Sequence, residues 1–213
     1  LSKALRVLGY IPGVKQVAIC NSCSLRTQTL KSDLDLFLIL DHKSFFTTRL
    51  LMILALRLFF LKRSKRKYIN RVCLSFIVSD KNLNLAKVRF KNDHYFKYWL
   101  DSLVFLGRDK ALKSKFFNVN NAFEANLNYF RNIELPRVRF NSARPFASSK
   151  FLSLIERFNQ YFQLKRAYRK YQDLNKPLGV HIRPGFLKFH NLDIRPKFNK
   201  AFQELLKKVS KQV

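Results

Sequence analysis

Val17-Ala18-Ile19-Cys20-Asn21-Ser22 is followed, after ten residues, by Asp33-Leu34-Asp35-Leu36-Phe37-Leu38-Ile39-Leu40. The first run reads as a buried strand entering a tight polar turn. The second reads as a longer strand. Leu34, Leu36, Leu38 and Leu40 line one face, and Phe37 and Ile39 line the other beyond the two aspartates. A strand apolar on both faces belongs in the middle of its sheet. Alternation sends Asp33 and Asp35 to the same face. Two carboxylates side by side repel unless a divalent cation sits between them, and Mg²⁺ favours carboxylate oxygens, water and substrate phosphates. The Ser22 hydroxyl and the backbone N–H groups of the turn could hold such phosphates. In the competing structural reading, one aspartate caps a turn and the other pairs with a basic side chain. Paired carboxylates in so apolar a strand are costly without a reason.

Outward from this segment, Leu1, Leu5 and Leu8 share a helical face before Ile11-Pro12-Gly13 breaks it. Asn21 to Lys31 is polar and loop-like. Ser44 or Thr47 can cap a helix running to about Leu61. Arg71 to Val78 reads as a strand rich in Val, Leu, Ile and Phe. Helices are expected from Asp93 to about Leu106, Val119 to Arg131, Ser148 to Tyr171 and Asp193 to Val209. In the third of these, Phe151, Leu152, Ile155, Phe158, Tyr161, Phe162 and Leu164 are expected to face inward. Gly179 to Phe189 reads as short, irregular or strand-like. The fold class is therefore α+β, a small mixed sheet flanked by helices. A compositional break near residues 108 to 118 divides a core over 1–107 from a mainly helical region over 108–213.

The 213 residues include 42 Lys and Arg against 13 Asp and Glu, a formal charge of +29. Such a surface favours polyanions: nucleic acid, nucleotides or anionic lipid. Charge spread evenly for solubility is the competing reading. Hydrophobic residues make up 47%, so a packed core can form and disorder is not the default. Three cysteines are no disulfide framework, and a reducing cytoplasm is the simplest home. Cys20 and Cys23 form C-x-x-C without the second pair a zinc site requires, and Cys20 reads as a buried strand residue. Leu50 to Leu61 is apolar apart from Arg57 but spans only twelve residues, where a membrane span needs about 20. It reads as a buried core helix, with an interfacial helix as the alternative because the basic run Lys62 to Lys67 follows. No integral span is expected.

The strand–turn–strand segment resembles the signature of the nucleotidyltransferase superfamily that includes DNA polymerase beta. There a hydrophobic strand leads through Gly-Ser to Asp-x-Asp inside a second hydrophobic strand. Ile11-Pro12-Gly13-Val14-Lys15 with Val17-Ala18, Cys73-Leu74-Ser75-Phe76, and Leu187-Lys188-Phe189-His190 followed by Asp193 resemble an uncharacterised bacterial group of nucleotidyltransferase-domain proteins. The likeness spans nearly the whole chain. It implies that Asp33 and Asp35 bind two Mg²⁺ ions, and that Asn21 and Ser22 hold the phosphates of a nucleoside triphosphate. A nucleoside monophosphate would then pass to a hydroxyl acceptor on RNA, a small molecule or a protein. Lys188 and His190 are candidates for the acceptor side.

Two features depart from the superfamily pattern. Asn21 stands where glycine is usual, although Asn tolerates left-handed backbone. The superfamily often carries a third carboxylate on a later strand, yet Arg71 to Val78 has none and Ser75 lies in its middle. Asp80, just past that strand, is the candidate substitute. Asp41 shares parity with Asp35 but lies about 20 Å further along an extended strand. A second reading follows from these departures: a catalytically degenerate scaffold acting as a basic RNA-binding module. A peripheral membrane protein using Leu50 to Lys67 is the third.

Overall fold

The computed structural model describes residues 1–25, 27–64, 66–107, 109–122, 150–191 and 193–210. Six strands form one mixed sheet: β1 (Val14–Ile19), β2 (Leu34–Leu40), β3 (Val72–Ser79), β4 (Val104–Phe105), β5 (Val180–Arg183) and β6 (Phe186–Phe189). Their order is β4-β1-β2-β3-β6-β5. Only β2 and β3 pair in parallel; every other neighbouring pair is antiparallel. The doubly apolar β2 is an inner strand, as its sequence requires.

Two apolar layers flank the sheet. On one face Leu36, Leu38, Leu40, Leu74 and Ile77 pack against α1 (Ser2–Gly9), α2 (Phe45–Leu58) and α5 (Lys150–Asp173). On the other, Phe37, Ile39, Phe76 and Phe186 meet α3 (His94–Asp101) and α4 (Lys110–Val119). Phe37 is the hub of the second layer, touching the rings of Phe76, Trp99, Phe105 and Phe116. The last helix, α6 (Arg195–Val209), lies on α3 through Tyr95–Phe198 and His94–Phe202 ring contacts. No helix among the described residues is long and apolar enough to cross a membrane.

Several expectations need correcting. The helix expected over 93–106 stops at Asp101, where the Ser102 hydroxyl bonds back to the Trp99 carbonyl. Val104 and Phe105 then pair with Ile19 and Ala18 as β4. The break near 108–118 is largely a helix: Asp109 caps the start of α4, and Phe116 and Phe117 enter the core. α4 ends at Val119, so the helix expected over 119–131 is not there at its start, and 123–131 lies outside the described residues. Within the region after 107, the stretch read as short and strand-like forms the β5–β6 hairpin, which joins the sheet beside β3. Its turn is Pro184-Gly185, with Gly185 at φ 68.

The α5 aromatics are also reversed. Phe151, Phe158, Tyr161 and Phe162 are exposed. Of the side chains expected inward, Leu164 does pack on the core, but much of the docking of α5 on α2 is polar. Glu156 accepts from the N–H groups of Phe46 and Thr47 at 2.7 and 2.8 Å, capping α2 in place of Ser44 or Thr47. A carboxylate there also meets the positive end of the α2 dipole. Asn159 donates to Thr47 Oγ1, and Gln163 bonds to Arg49 and to the Phe46 carbonyl. This stripe, with Leu164, Ala167 and Tyr171, takes the face that apolar periodicity assigned to the aromatics.

Candidate active site

Asp33 and Asp35 sit at the start of β2, where the strand leaves the turn that follows β1. That turn needs left-handed backbone at its first residue, and Asn21 supplies it at φ 56. Its side-chain amide donates to Asp35 Oδ2 at 2.9 Å, so it turns toward the carboxylate. Ser22 follows in the same turn, partly exposed. The backbone closes the unit: Cys20 N–H donates to the Asp35 carbonyl at 3.2 Å.

Asp35 pairs across to Cys73 on β3. Asp33, Asp35 and Cys73 each bring a ligand atom within 4.8 Å of the others. Burial raises the Asp35 carboxyl above the usual carboxylate value; Asn21 offsets part of this, and the Asp33 charge adds to it. Burial pushes the Cys73 thiol up to about 11, with Asp35 contributing. Arg63, from the basic run after α2, reaches in from the rim. Its Nη1 lies 2.5 Å from Asp33 Oδ2 and 3.5 Å from Cys73 Sγ. Long-range contact by a loop arginine leaves no local mark in the sequence. The only hint was the basic run itself, and Cys73 reads there as strand packing.

The donor set decides what the site could hold. Two carboxylates suit a hard cation such as Mg²⁺. A thiol that stays protonated at neutral pH does not. Asp33 and Asp35 could hold such a cation, and Arg63, which pairs with Asp33 here, would then have to release it. The third position beside Asp35 carries sulfur, not a carboxylate.

Asp80 is not the substitute third carboxylate. It follows the far end of β3, about 20 Å from the cluster at the strand rise per residue. There it joins Asp41, His42 and Lys15. Lys15 Nζ lies 2.5 Å from Asp80 and 3.4 Å from Asp41, so a built-in cation already balances the two acids. Lys15 and His42 hold the Asp80 carboxyl below its usual value despite burial.

Lys188 and His190 do come to the aspartates' side of the sheet. They lie on β6 and just beyond it, and the Ser75 hydroxyl is 3.5 Å from His190 Nε2. Lys188 is buried, donates to the Gly179 carbonyl at 3.0 Å, and is lowered to about 8, chiefly by burial. His190, and His181 opposite Lys188 on β5, are lowered to about 4 by burial and then by the Lys188 charge. His190 Nδ1 and His181 Nε2 are buried without a hydrogen-bond partner. Both imidazoles are thus neutral at pH 7 and can accept a hydrogen bond. Their folded values lie below 6.5, so the stability they contribute is complete above pH 6.5 and is lost as pH falls through about 4. Urea unfolding at stepped pH should show this loss, with a shallower slope for His190→Gln. Superimposable pH profiles would show that His190 does not titrate with folding.

The C-x-x-C cysteines are free thiols. Cys20 is buried with its thiol raised well above the ordinary value, chiefly by burial, as packing requires and a redox dithiol does not. Comparison with protein-family models, curated proteins and solved structures finds no match to the chain.

Proposed function

We propose that the protein is a Mg²⁺-dependent nucleotidyltransferase, moving a nucleoside monophosphate from a nucleoside triphosphate to a hydroxyl acceptor. The observation that carries this reading is the Asp33–Asp35 pair. It stands at the head of β2 beside a left-handed Asn21 turn, with the half-buried Asp35 carboxyl raised above its usual value by that partial burial.

Asp33 and Asp35 would hold the cation, which when bound lowers the pKa of the attacking hydroxyl and offsets charge on the departing pyrophosphate. Asn21 fixes the orientation of Asp35. Ser22 and the turn face the triphosphate. Arg63, once released from Asp33, is placed to pair with phosphate oxygens. The neutral His190, just past β6 and against Ser75 of β3, would offer a hydrogen-bond acceptor to the incoming hydroxyl. The acceptor oxygen bonds to the α-phosphorus, the bond to the β-phosphate oxygen breaks, and pyrophosphate leaves as the hydroxyl proton is released. The charge of +29 favours RNA among acceptors.

Calorimetry tests the reading. Nucleoside triphosphate should bind the native chain only with Mg²⁺, and an Asp33→Asn/Asp35→Asn variant should not bind. A second reading is supported by the Arg63–Asp33 ion pair and by sulfur at the third ligand position. It is a degenerate scaffold that binds RNA through charge alone. Its mark is steeply salt-dependent RNA binding, indifferent to Mg²⁺ and to both aspartates, together with no metal-dependent nucleotide binding.

A further inference from the structure

The helix α2 buries Phe45, Phe46, Thr48, Met52 and Leu56, packs Leu51, Ile53 and Ala55 partly against the core, and exposes apolar side chains only near its C-terminal end. Leu54 and Leu58 are exposed, the latter at 73%. With Val7 and Ile11 they border an open groove of about 940 Å³ between α1 and α2. Tyr10 stands over it at 75% exposure. The helix ends in a double closure: Leu61 N–H donates to the Leu56 carbonyl at 2.7 Å, and Phe60 N–H to the Arg57 carbonyl at 2.9 Å. This arrangement puts one residue in left-handed backbone, a place normally filled by glycine. Here it is Phe60, at φ 55. A left-handed conformation is unfavourable for a bulky residue. No burial compensates it, because Phe60 is 79% exposed. The fold thus accepts a local cost to hold an aromatic ring in the open just past the end of α2.

The chain segments that form the ridge and the groove carry one sign of charge. Residues 1–32 and 43–79 contain no Asp or Glu. Lys3 and Arg6 line the groove, and Arg57 is exposed on the last turn of α2 between the exposed Leu54 and Leu58. We infer that this face docks on an anionic lipid surface. Phe60, Leu58 and Leu54 enter the acyl boundary while the basic side chains meet the headgroups. A single-stranded nucleic acid would use the charges and an aromatic platform. It has no use for a contiguous aliphatic ridge, and that favours lipid. Leu54, Leu58 and Phe60 are not among the residues of the aspartate site.

Flotation with vesicles tests the inference, using phosphatidylcholine alone and phosphatidylcholine mixed with phosphatidylglycerol. The native chain should float only with the mixed vesicles. Phe60→Gly should weaken that partitioning about tenfold. The same variant should raise the melting temperature by about 2 °C, because glycine relieves the left-handed backbone. Leu58→Ser should weaken partitioning without that rise. Failure to float with mixed vesicles at low salt would overturn the inference. So would undiminished flotation of both variants, which would assign binding to bulk charge. RNA oligonucleotide binding that falls in Phe60→Gly, without vesicle binding, would assign the face to nucleic acid instead.

Discussion

An Asp33→Asn/Asp35→Asn variant is expected to lose nucleotide transfer by about a thousandfold or more, since cation-held charge stabilisation is worth several kcal/mol in the transition state. The same variant should melt at least as high as the native chain. Burial raises the folded Asp35 carboxyl above its unfolded value. The stability this group contributes is therefore present at low pH and lost as pH rises through the folded pKa. At neutral pH the ionised carboxylate is a liability to the fold, and asparagine removes it. Asn21 can still donate to the amide oxygen that replaces Asp35 Oδ2. Mg²⁺ should raise the melting temperature of the native chain and leave the variant unmoved, because a ligand stabilises only the state that binds it. Paired activity and melting curves, with and without Mg²⁺, check all three outcomes. Full transfer by the variant would remove the aspartates from the chemistry.

The second large effect is structural. Arg195 is only 4% exposed and ties α6 to the rest of the chain. It donates to Asp193 through Nε and Nη2, to the Val88 carbonyl at 2.6 Å and to Asp93 at 3.0 Å, and it lies over the Phe90 ring. Asp93 is itself buried while capping α3 through the Phe96 N–H. Arg195→Met strands that carboxylate. The expected loss is about 3–5 kcal/mol, the usual cost of breaking a buried pair on one side. Denaturant unfolding should report it. Adding Asp93→Asn should return part of the stability, since the stranded charge is then gone. A single variant as stable as the native chain would show that the network holds nothing.

Arg195 marks the kind of feature that sequence does not expose. Two of its partners, Val88 and Asp93, lie about a hundred residues away, and within its own helix it is one basic residue among many. Arg63 is hidden for the same reason. By contrast, β2 was legible because apolar residues on both faces admit few placements, and the same-face relation of Asp33 and Asp35 follows from strand alternation alone. Asn21 in left-handed backbone was legible from the side chain's own tolerance. Asp80 misled because proximity to a strand end says nothing of which end matters. β3 runs parallel to β2, so its exit lies opposite the aspartates. β4 was absorbed into a helix because Leu103-Val104-Phe105-Leu106 satisfies either periodicity. α5 misled because its aromatics outnumber the polar side chains that dock it.

The place of β6 beside β3 has a consequence for biosynthesis. During synthesis β1, β2 and β3 emerge long before residues 186–189, so β3 waits with an unpaired edge for more than a hundred residues. An uncovered, apolar strand edge is a template for pairing with other chains. At roughly 5–20 residues per second that edge stays open for seconds. A nascent chain of this protein must therefore be shielded, or kept dilute, until its C-terminal hairpin leaves the ribosome.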